Sequence, residues 1–342
     1  MINVAVLFLR GGTASTALLP FEIFRSAGVF WNLFNNQRPR RLFRVTTATI
    51  NGKPIRVDDQ VKLTPHTSVC KLAKPDIVFV QAGGLDFETI AAGRYNLHDH
   101  VAQNADLIPW LQRWASEGVN VASACGGVAL LAAAGLLDGK RATGHWGFHA
   151  RYQDMYPAVD WQMQYLVTES GNIFCGGGGN SASDLALYMV EKFCGREIAL
   201  QCAKALLIEM PRIWQVGFTH FPICADHGDA IVLRVQDWLH KHYAEDVNVE
   251  DIAAKFGMSS RTFQRRFKQA TAQTPLGYVH NLRVTVARRQ IENGRQSIHE
   301  VMSQVGYDDP LFFRRLFKRH TGLTPADYRR RFGPSRFTVA AE

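Results

Sequence analysis

The sequence predicts two domains of different class. The first is an α/β domain on an open, mostly parallel sheet with helices on both faces, flavodoxin-like in layout. The second is all-α and holds two helix-turn-helix units. Three observations predict this. Apolar β-branched runs alternate with amphipathic stretches through the first two hundred residues. The pattern turns helical from about residue 230. Inside that helical part, two similar segments recur fifty residues apart. At 342 residues the chain also exceeds the usual size of one domain.

The runs VAVLFL (4–9), DIVFVQAGG (76–84) and VNVASAC (119–125) lack polar alternation, as parallel strands covered on both faces do. LIPWLQRWASEG (107–118) reads as an amphipathic helix ended by Gly118. Residues 171–195 read as strand, Gly-rich turn and helix, with Asn180, Ser181 or Ser183 placed to cap that helix. Prolines and glycines without a clear period mark 211–229 as a linker. The expected layout is therefore a domain at 1–210, the linker, a helical domain at 230–332, and a tail at 333–342.

Charge is unevenly spread. Residues 1–228 carry 20 Lys+Arg against 18 Asp+Glu, whereas 229–342 carry 19 against 12. A net +7 on the last third points to a polyanionic partner. The six cysteines form no CxxC pair and show no zinc spacing, so no metal and no cofactor is expected. No apolar run approaches bilayer length, and the N-terminus runs into a strand pattern rather than a leader. The expectation is a cytoplasmic protein with no membrane partner.

In the repeat, DIAAKFGMSSRTFQRRFKQATAQTP (251–275) aligns with EVMSQVGYDDPLFFRRLFKRHTGLTP (300–325). Each reads as a short helix, a glycine turn (Gly257, Gly306) and a second helix with Arg on one side and Phe on the other. That is a helix-turn-helix whose second helix can enter a major groove. Asp308 or Asp309 is placed to cap the later helix, and Pro310 to sit in its first turn. Phe263, Phe267, Phe313 and Phe317 face two small cores. Arg261, Gln264, Arg265, Arg314 and Arg315 are of the types that contact base edges, while Lys268, Lys318 and Arg319 suit phosphate. TPLGYVHNLRVTVARRQIEN (274–293) joins the units.

Residues 230–332, through IAAKFGMSSRTFQRRFK and VGYDDPLFFRRLFKRHTGLTPADYRRR, resemble the DNA-binding domain of AraC/XylS-type transcription regulators. The resemblance implies promoter DNA as partner, with RNA polymerase added for an activator. It implies a DNA-facing set of Ser260, Arg261, Gln264, Arg265, Lys268, Pro310, Arg314, Arg315, Lys318 and Arg319. Leu311–Phe312 departs from the family, where polar residues often stand.

The stretch SACGG (123–127) has the small residues that a nucleophile elbow requires two before and two after Cys125. The following VALLAAAGLL would aim a helix N-terminus at the sulfur and favour a thiolate. Backbone N–H groups of Gly126 and of Gly84 or Leu85 are placed to form an anion pocket. Trp31, Phe30, Trp146 and Phe148 are aromatic enough to box a cation.

With FLRGG, PFEIFRSAG, FVQAGG, SACGGVALLAAAGLLDGKRATGHW and IFCGGGGNSASDLALYMVE, residues 1 to about 195 resemble the PfpI-type branch of the class I glutamine-amidotransferase-like superfamily. The resemblance implies a set of Cys125 as nucleophile, His145 as base and Glu22 as thiol partner. Fused to an AraC-type reader, such a domain resembles a ligand sensor whose hydrolytic machinery has decayed. It is then not an enzyme but binds a small effector, amino-acid-derived or a quaternary amine, around Glu22, Gly83, Gly84, Cys125, Gly126, His145 and Trp146. The chain is expected to dimerise through that domain. Two alternatives remain: a cysteine-dependent hydrolase or hydratase, or a thiol redox switch at Cys125.

Overall fold

The apolar runs become the middle of a sheet whose two faces are both covered. A computed structural model describes residues 1–56, 61–83, 96–210, 213–215, 218 and 227–334. Its strands are β1 (Ile2–Leu7), β2 (Phe43–Thr49), the antiparallel pair β3 (Ile55–Arg56) and β4 (Lys62–Leu63), β5 (Thr67–Ser68), β6 (Ile77–Val80), β7 (Asn120–Ala124), β8 (Arg141–Ala142) paired with β9 (Asp160–Trp161), β10 (Val167–Ser170) and β11 (Ile173–Gly176). The main sheet runs β10-β11-β7-β6-β1-β2-β5, parallel except at the β10 edge.

Alternation along β1 explains the two layers. Val4, Val6 and Phe8 enter one core, against α1 (Ser15–Ser26), α7 (Ser181–Cys194) and α8 (Arg196–Ala205), while α2 (Phe30–Phe34) lies exposed between α1 and β2. Ala5, Leu7 and Leu9 enter the other, against α4 (Ile108–Ser116) and α5 (Val128–Ala133). The helices α3 (Leu97–Gln103) and α6 (His149–Met155) complete a smaller cluster around Tyr152. No helix among the described residues is long and apolar enough to cross a membrane.

Three local expectations need correction. In the 76–84 run the strand ends at Val80; Gln81 N–H still donates to the Leu7 carbonyl, and Gly83 meets Gly12 in an isolated antiparallel bridge. In α7, Asn180 holds the N-cap position without a side-chain capping bond; Ser181 and Ser183 instead donate back to the Gly178 and Asn180 carbonyls. Residues 213–215 belong to the first unit, which extends to Gln215: Leu166 N–H donates to the Ile213 carbonyl and Gln215 N–H to the Gln164 carbonyl. Most of the segment read as a linker lies outside the described residues.

The second unit contains α9 (Ala230–His242), α10 (Val249–Lys255), α11 (Ser260–Thr271), α12 (Pro275–Asn293), α13 (Ile298–Gln304), α14 (Pro310–Thr321) and α15 (Pro325–Phe332). The repeat is structural down to single bonds. Thr271 Oγ1 donates to the Phe267 carbonyl and Thr321 Oγ1 to the Phe317 carbonyl, both at 2.8 Å. Phe267 meets Tyr278 edge-on at 5.4 Å, and Phe317 meets Tyr328 at 5.3 Å.

Arg283 of α12 ties the unit together. Only 8% exposed, it donates to the carbonyls of Tyr243, Gly306 and Glu245 at 2.6, 2.9 and 2.6 Å. Gly306 sits at φ +79°, where a Cβ would lie 2.3 Å from the Ala244 carbonyl oxygen. The left-handed turn and the close approach both require glycine there. Replacing Arg283 with Leu strands three carbonyls and is expected to cost about 3 kcal/mol in chemical unfolding. Lys, lacking the fork, is expected to recover only part; a loss below about 1 kcal/mol for Leu would contradict this role.

Candidate functional site

The elbow forms where β7 leaves the sheet. Cys125 takes φ +54°, a left-handed conformation that non-glycine residues rarely adopt and that functional turns often hold. A short 3-10 turn (125–127) then leads into α5. Small residues are needed for visible reasons. A Cβ on Gly126 would lie 2.1 Å from the Gly83 carbonyl oxygen, and one on Gly127 would lie 2.4 Å from Ser123 Oγ. Ser123 Oγ in turn donates to the Val80 carbonyl at 3.1 Å, binding β7 to β6.

The thiol is closed off. Cys125 is 0% exposed, and burial pushes its pKa up to about 11, with the Gly126 N–H opposing weakly. The expected thiolate is thus overturned by magnitude. A helix end contributes roughly 0.3–1 kcal/mol, and α5 is only six residues long. Burying an unpaired anion costs several kcal/mol. Among the described residues no basic side chain contacts the sulfur.

Two further members of the expected set fall elsewhere. Glu22 is exposed on α1 and lines a cavity with Met1, Phe43, Arg44 and Val45, where β1 and β2 begin. Cys125 follows the end of β7, parallel to them, so the two occupy opposite edges of the sheet. Glu22 is no partner of the thiol. The residue that α1 sends toward the elbow side is Thr16, whose Oγ1 donates to the Thr13 carbonyl at 2.7 Å and accepts the Ala82 N–H at 3.0 Å.

His145 lies on the correct edge. Its ring rests on Gly178, in the turn after β11, and contacts Trp146 and Phe148 at 5.5 and 5.3 Å. Its Nδ1 accepts the Gly147 N–H at 3.1 Å, which places the ring proton on Nε2. Burial lowers its pKa, and with Nδ1 engaged by Gly147 the remaining ring position, Nε2–H, is a donor. The aromatic cluster reaches the elbow through Tyr152, whose hydroxyl donates to the Cys125 carbonyl at 3.0 Å. Trp31 and Phe30 do not join it: Phe30 lines the cavity at the opposite edge and Trp31 lies beside Lys204.

Gly126 packs against the Gly83 carbonyl, whereas Gly84 and Leu85, expected to share an anion pocket with Gly126, lie outside the described residues. Two buried groups here were not singled out by the sequence. A Cβ on Gly83 would lie 1.9 Å from His100 Cε1, so His100 presses on that glycine. Gln81 is fully buried and accepts the Leu9 N–H at 2.8 Å. Among the described residues, Nε2 of each has no hydrogen-bond partner. Gln81 stands inside the FVQAGG stretch but does not read as a site residue there, and His100 sits in no motif; both are defined by close approaches to glycines distant in sequence, Gly12 and Gly83.

The basic unit sorts its arginines into two groups. Arg283 binds carbonyls, Arg288 donates to Tyr328 Oη, and Arg266 pairs with Asp229, the N-cap of α9. A second set is exposed: Arg261, Gln264, Arg265 and Lys268 on α11, and Arg314, Arg315, Lys318 and Arg319 on α14. Ser260 is half-exposed and accepts from Gln264 Nε2 at 3.2 Å; Pro310 is exposed in the first turn of α14. Of the two aspartates placed to cap α14, Asp309 does so, accepting the Leu311 and Phe312 N–H groups at 2.8 and 3.1 Å. The four phenylalanines are buried on the opposite sides.

Two measurements check the elbow's electrostatics. At pH 8, iodoacetamide followed by peptide mapping is expected to modify exposed Cys70 while Cys125 resists until the chain unfolds. Rapid labelling of Cys125 in the native state would contradict its burial. Burial also holds His100 at about 4 against an ordinary 6.5, so the unfolded chain binds its proton more readily. Its contribution to stability is full above pH 6.5 and is lost as pH falls from 6.5 towards 4. His100→Leu is expected to flatten that part of the stability–pH curve.

Comparison with known proteins agrees with this division. The DJ-1/PfpI family model matches residues 19–192, and a helix-turn-helix domain model matches 252–331. The HTH-type transcriptional regulator GbdR of Pseudomonas aeruginosa is 25% identical over 299 residues, covering 86% of this chain and 77% of GbdR. CdhR, another HTH-type transcriptional regulator of that organism, is 24% identical over 290 residues, covering 84% and 82%. The HTH-type transcriptional activator RhaS of Citrobacter koseri is 36% identical over 105 residues, 31% of this chain and 38% of RhaS. The chain therefore belongs to the DJ-1/PfpI family, in the form that carries an AraC-type helix-turn-helix domain on the same polypeptide and serves as a DNA-binding transcription regulator.

Proposed function

We propose that the DJ-1/PfpI unit is an effector sensor and that the helical unit reads promoter DNA in response. The observation that carries the DNA reading is the pair of exposed rows, Arg261, Gln264, Arg265, Lys268 and Arg314, Arg315, Lys318, Arg319, each backed by buried phenylalanines. Arg265 and Arg315 contact base edges, and Lys268, Lys318 and Arg319 contact phosphate. GbdR and CdhR, regulators by name, resemble this chain across both units.

Sensing rather than turnover is supported by the protonated, enclosed thiol and by the distance of Glu22 from it. The effector site lies at the C-terminal edge of the sheet, around Gly83, Gly126, His145 and Trp146, where open α/β sheets hold ligands. A separate cavity of about 310 Å³ opens at the same edge, beyond the ends of β1 and β2, lined by Arg10, Lys53 and Asp106 among others. Arg10 pairs with Asp106 at 3.3 Å, which leaves Lys53 to meet an anionic group such as the carboxylate of an amino-acid-derived metabolite. Two chains associate through this unit and set their readers on repeated half-sites. The likeness to RhaS, an activator by name, supports contact with RNA polymerase.

DNA binding is tested by selecting duplexes from a random pool with the full chain, then titrating the enriched sequence against salt. Affinity is expected to fall steeply with salt, and Lys268→Ala to reduce the slope by about 1. Arg265→Ala is expected to lose roughly 1–3 kcal/mol and to relax preference at one base pair. Failure to enrich any sequence would contradict the reading. Ultracentrifugation showing only monomer, with and without the duplex, would contradict dimerisation.

A further inference from the structure

The two recognition helices follow one plan and differ at two of four positions on the exposed face: Gln264 against Arg314, both polar, and Arg261 against Leu311, which exchanges a cation for an apolar side chain. On α11 that face carries Arg261, Gln264, Arg265 and Lys268; fifty residues later α14 carries Leu311, Arg314, Arg315 and Lys318. The register is fixed by the cores, since Phe263 and Phe267 are buried where Phe313 and Phe317 are buried. Leu311 therefore stands where Arg261 stands in the first unit.

Leu311 is 68% exposed. It lies three, four and seven residues before Arg314, Arg315 and Lys318, which places it on their face of the helix. Its first turn is rigid: Asp309 accepts the N–H groups of Leu311 and Phe312, and Pro310 fixes the entry. The neighbouring Phe312 ring is supported by His280 and Tyr307 at 5.9 and 5.7 Å. A preorganised helix start thus presents an apolar side chain in the middle of a cationic surface. The surrounding charge selects a polyanion, and the apolar group that DNA offers in its major groove is the thymine 5-methyl.

We infer that Leu311 reads the 5-methyl group of a thymine in the half-site bound by α14, at the place where Arg261 takes a guanine in the half-site bound by α11. This rests on the DNA-reading function proposed above. The repeated protein units then recognise unlike sequences, and the operator half-sites differ at that position. Leu311 acts by excluding water from the methyl group, which no cation in that place would do.

The test uses duplexes enriched from a random pool by the full chain. Each thymine is replaced singly by deoxyuridine, which removes only the methyl group. One thymine, about one helical turn from the guanine sensed by Arg261, is expected to lose about fourfold in affinity, the effect of one buried methyl. In Leu311→Ala that position becomes insensitive to the replacement, while Leu311→Met keeps the sensitivity. An unchanged melting midpoint in Leu311→Ala separates this from a folding defect. Tolerance of deoxyuridine at every position, or an equal loss in Leu311→Ala, would overturn the inference while leaving DNA reading intact. No enriched sequence at all would overturn the DNA reading and this inference with it.

Discussion

The approach of two strand ends decides what the first unit can be. Gly126 passes so close to the Gly83 carbonyl that a methyl group there would sit at 2.1 Å. That approach joins the ends of β6 and β7, and Cys125 lies fully buried at the turn. Burial then keeps the proton on the thiol despite the adjacent helix. The elbow survives as a geometric joint that shapes the sheet's C-terminal edge, with Tyr152, His145 and the Gly-rich turn after β11 arranged about it. A nucleophile would need the opposite arrangement, with an exposed sulfur and a basic partner.

The second unit shows the same economy of constraint at Arg283. A buried guanidinium is costly unless its donors are satisfied, and here three carbonyls from the end of α9 and from the second glycine turn satisfy it. The joining helix is thereby locked to both helix-turn-helix units. Arginines in this unit are not interchangeable: those that hold carbonyls, a tyrosine hydroxyl and a capping aspartate build the scaffold, while the rows on α11 and α14 stay exposed.

Much of this was legible in the sequence because it rests on local periodicity. The Phe pairs at 263/267 and 313/317, the glycine turns and the Thr-Pro starts each encode a bond or contact within a few residues. The lack of polar alternation in the strand runs likewise pointed to a sheet covered on both faces. Legibility stopped where long-range geometry decided the outcome. Glu22 and Thr16 lie on one helix, and only the helix's phase against the sheet tells which one turns toward Ala82. The thiol's protonation depended on two opposed effects whose balance requires burial to be known. His100 has meaning only through Gly83, seventeen residues away and on another element. The α7 serines, read as capping residues, instead donate back to the Gly178 and Asn180 carbonyls.

The central claim is that the elbow unit binds without reacting. A thermal melt of the chain and of Cys125→Ala against a panel of small metabolites tests it most directly, since a ligand of the folded state raises the midpoint by mass action. The account predicts a compound that stabilises both proteins and is recovered unchanged. Stabilisation that requires the thiol, or a compound consumed by the unsubstituted chain alone, would contradict it.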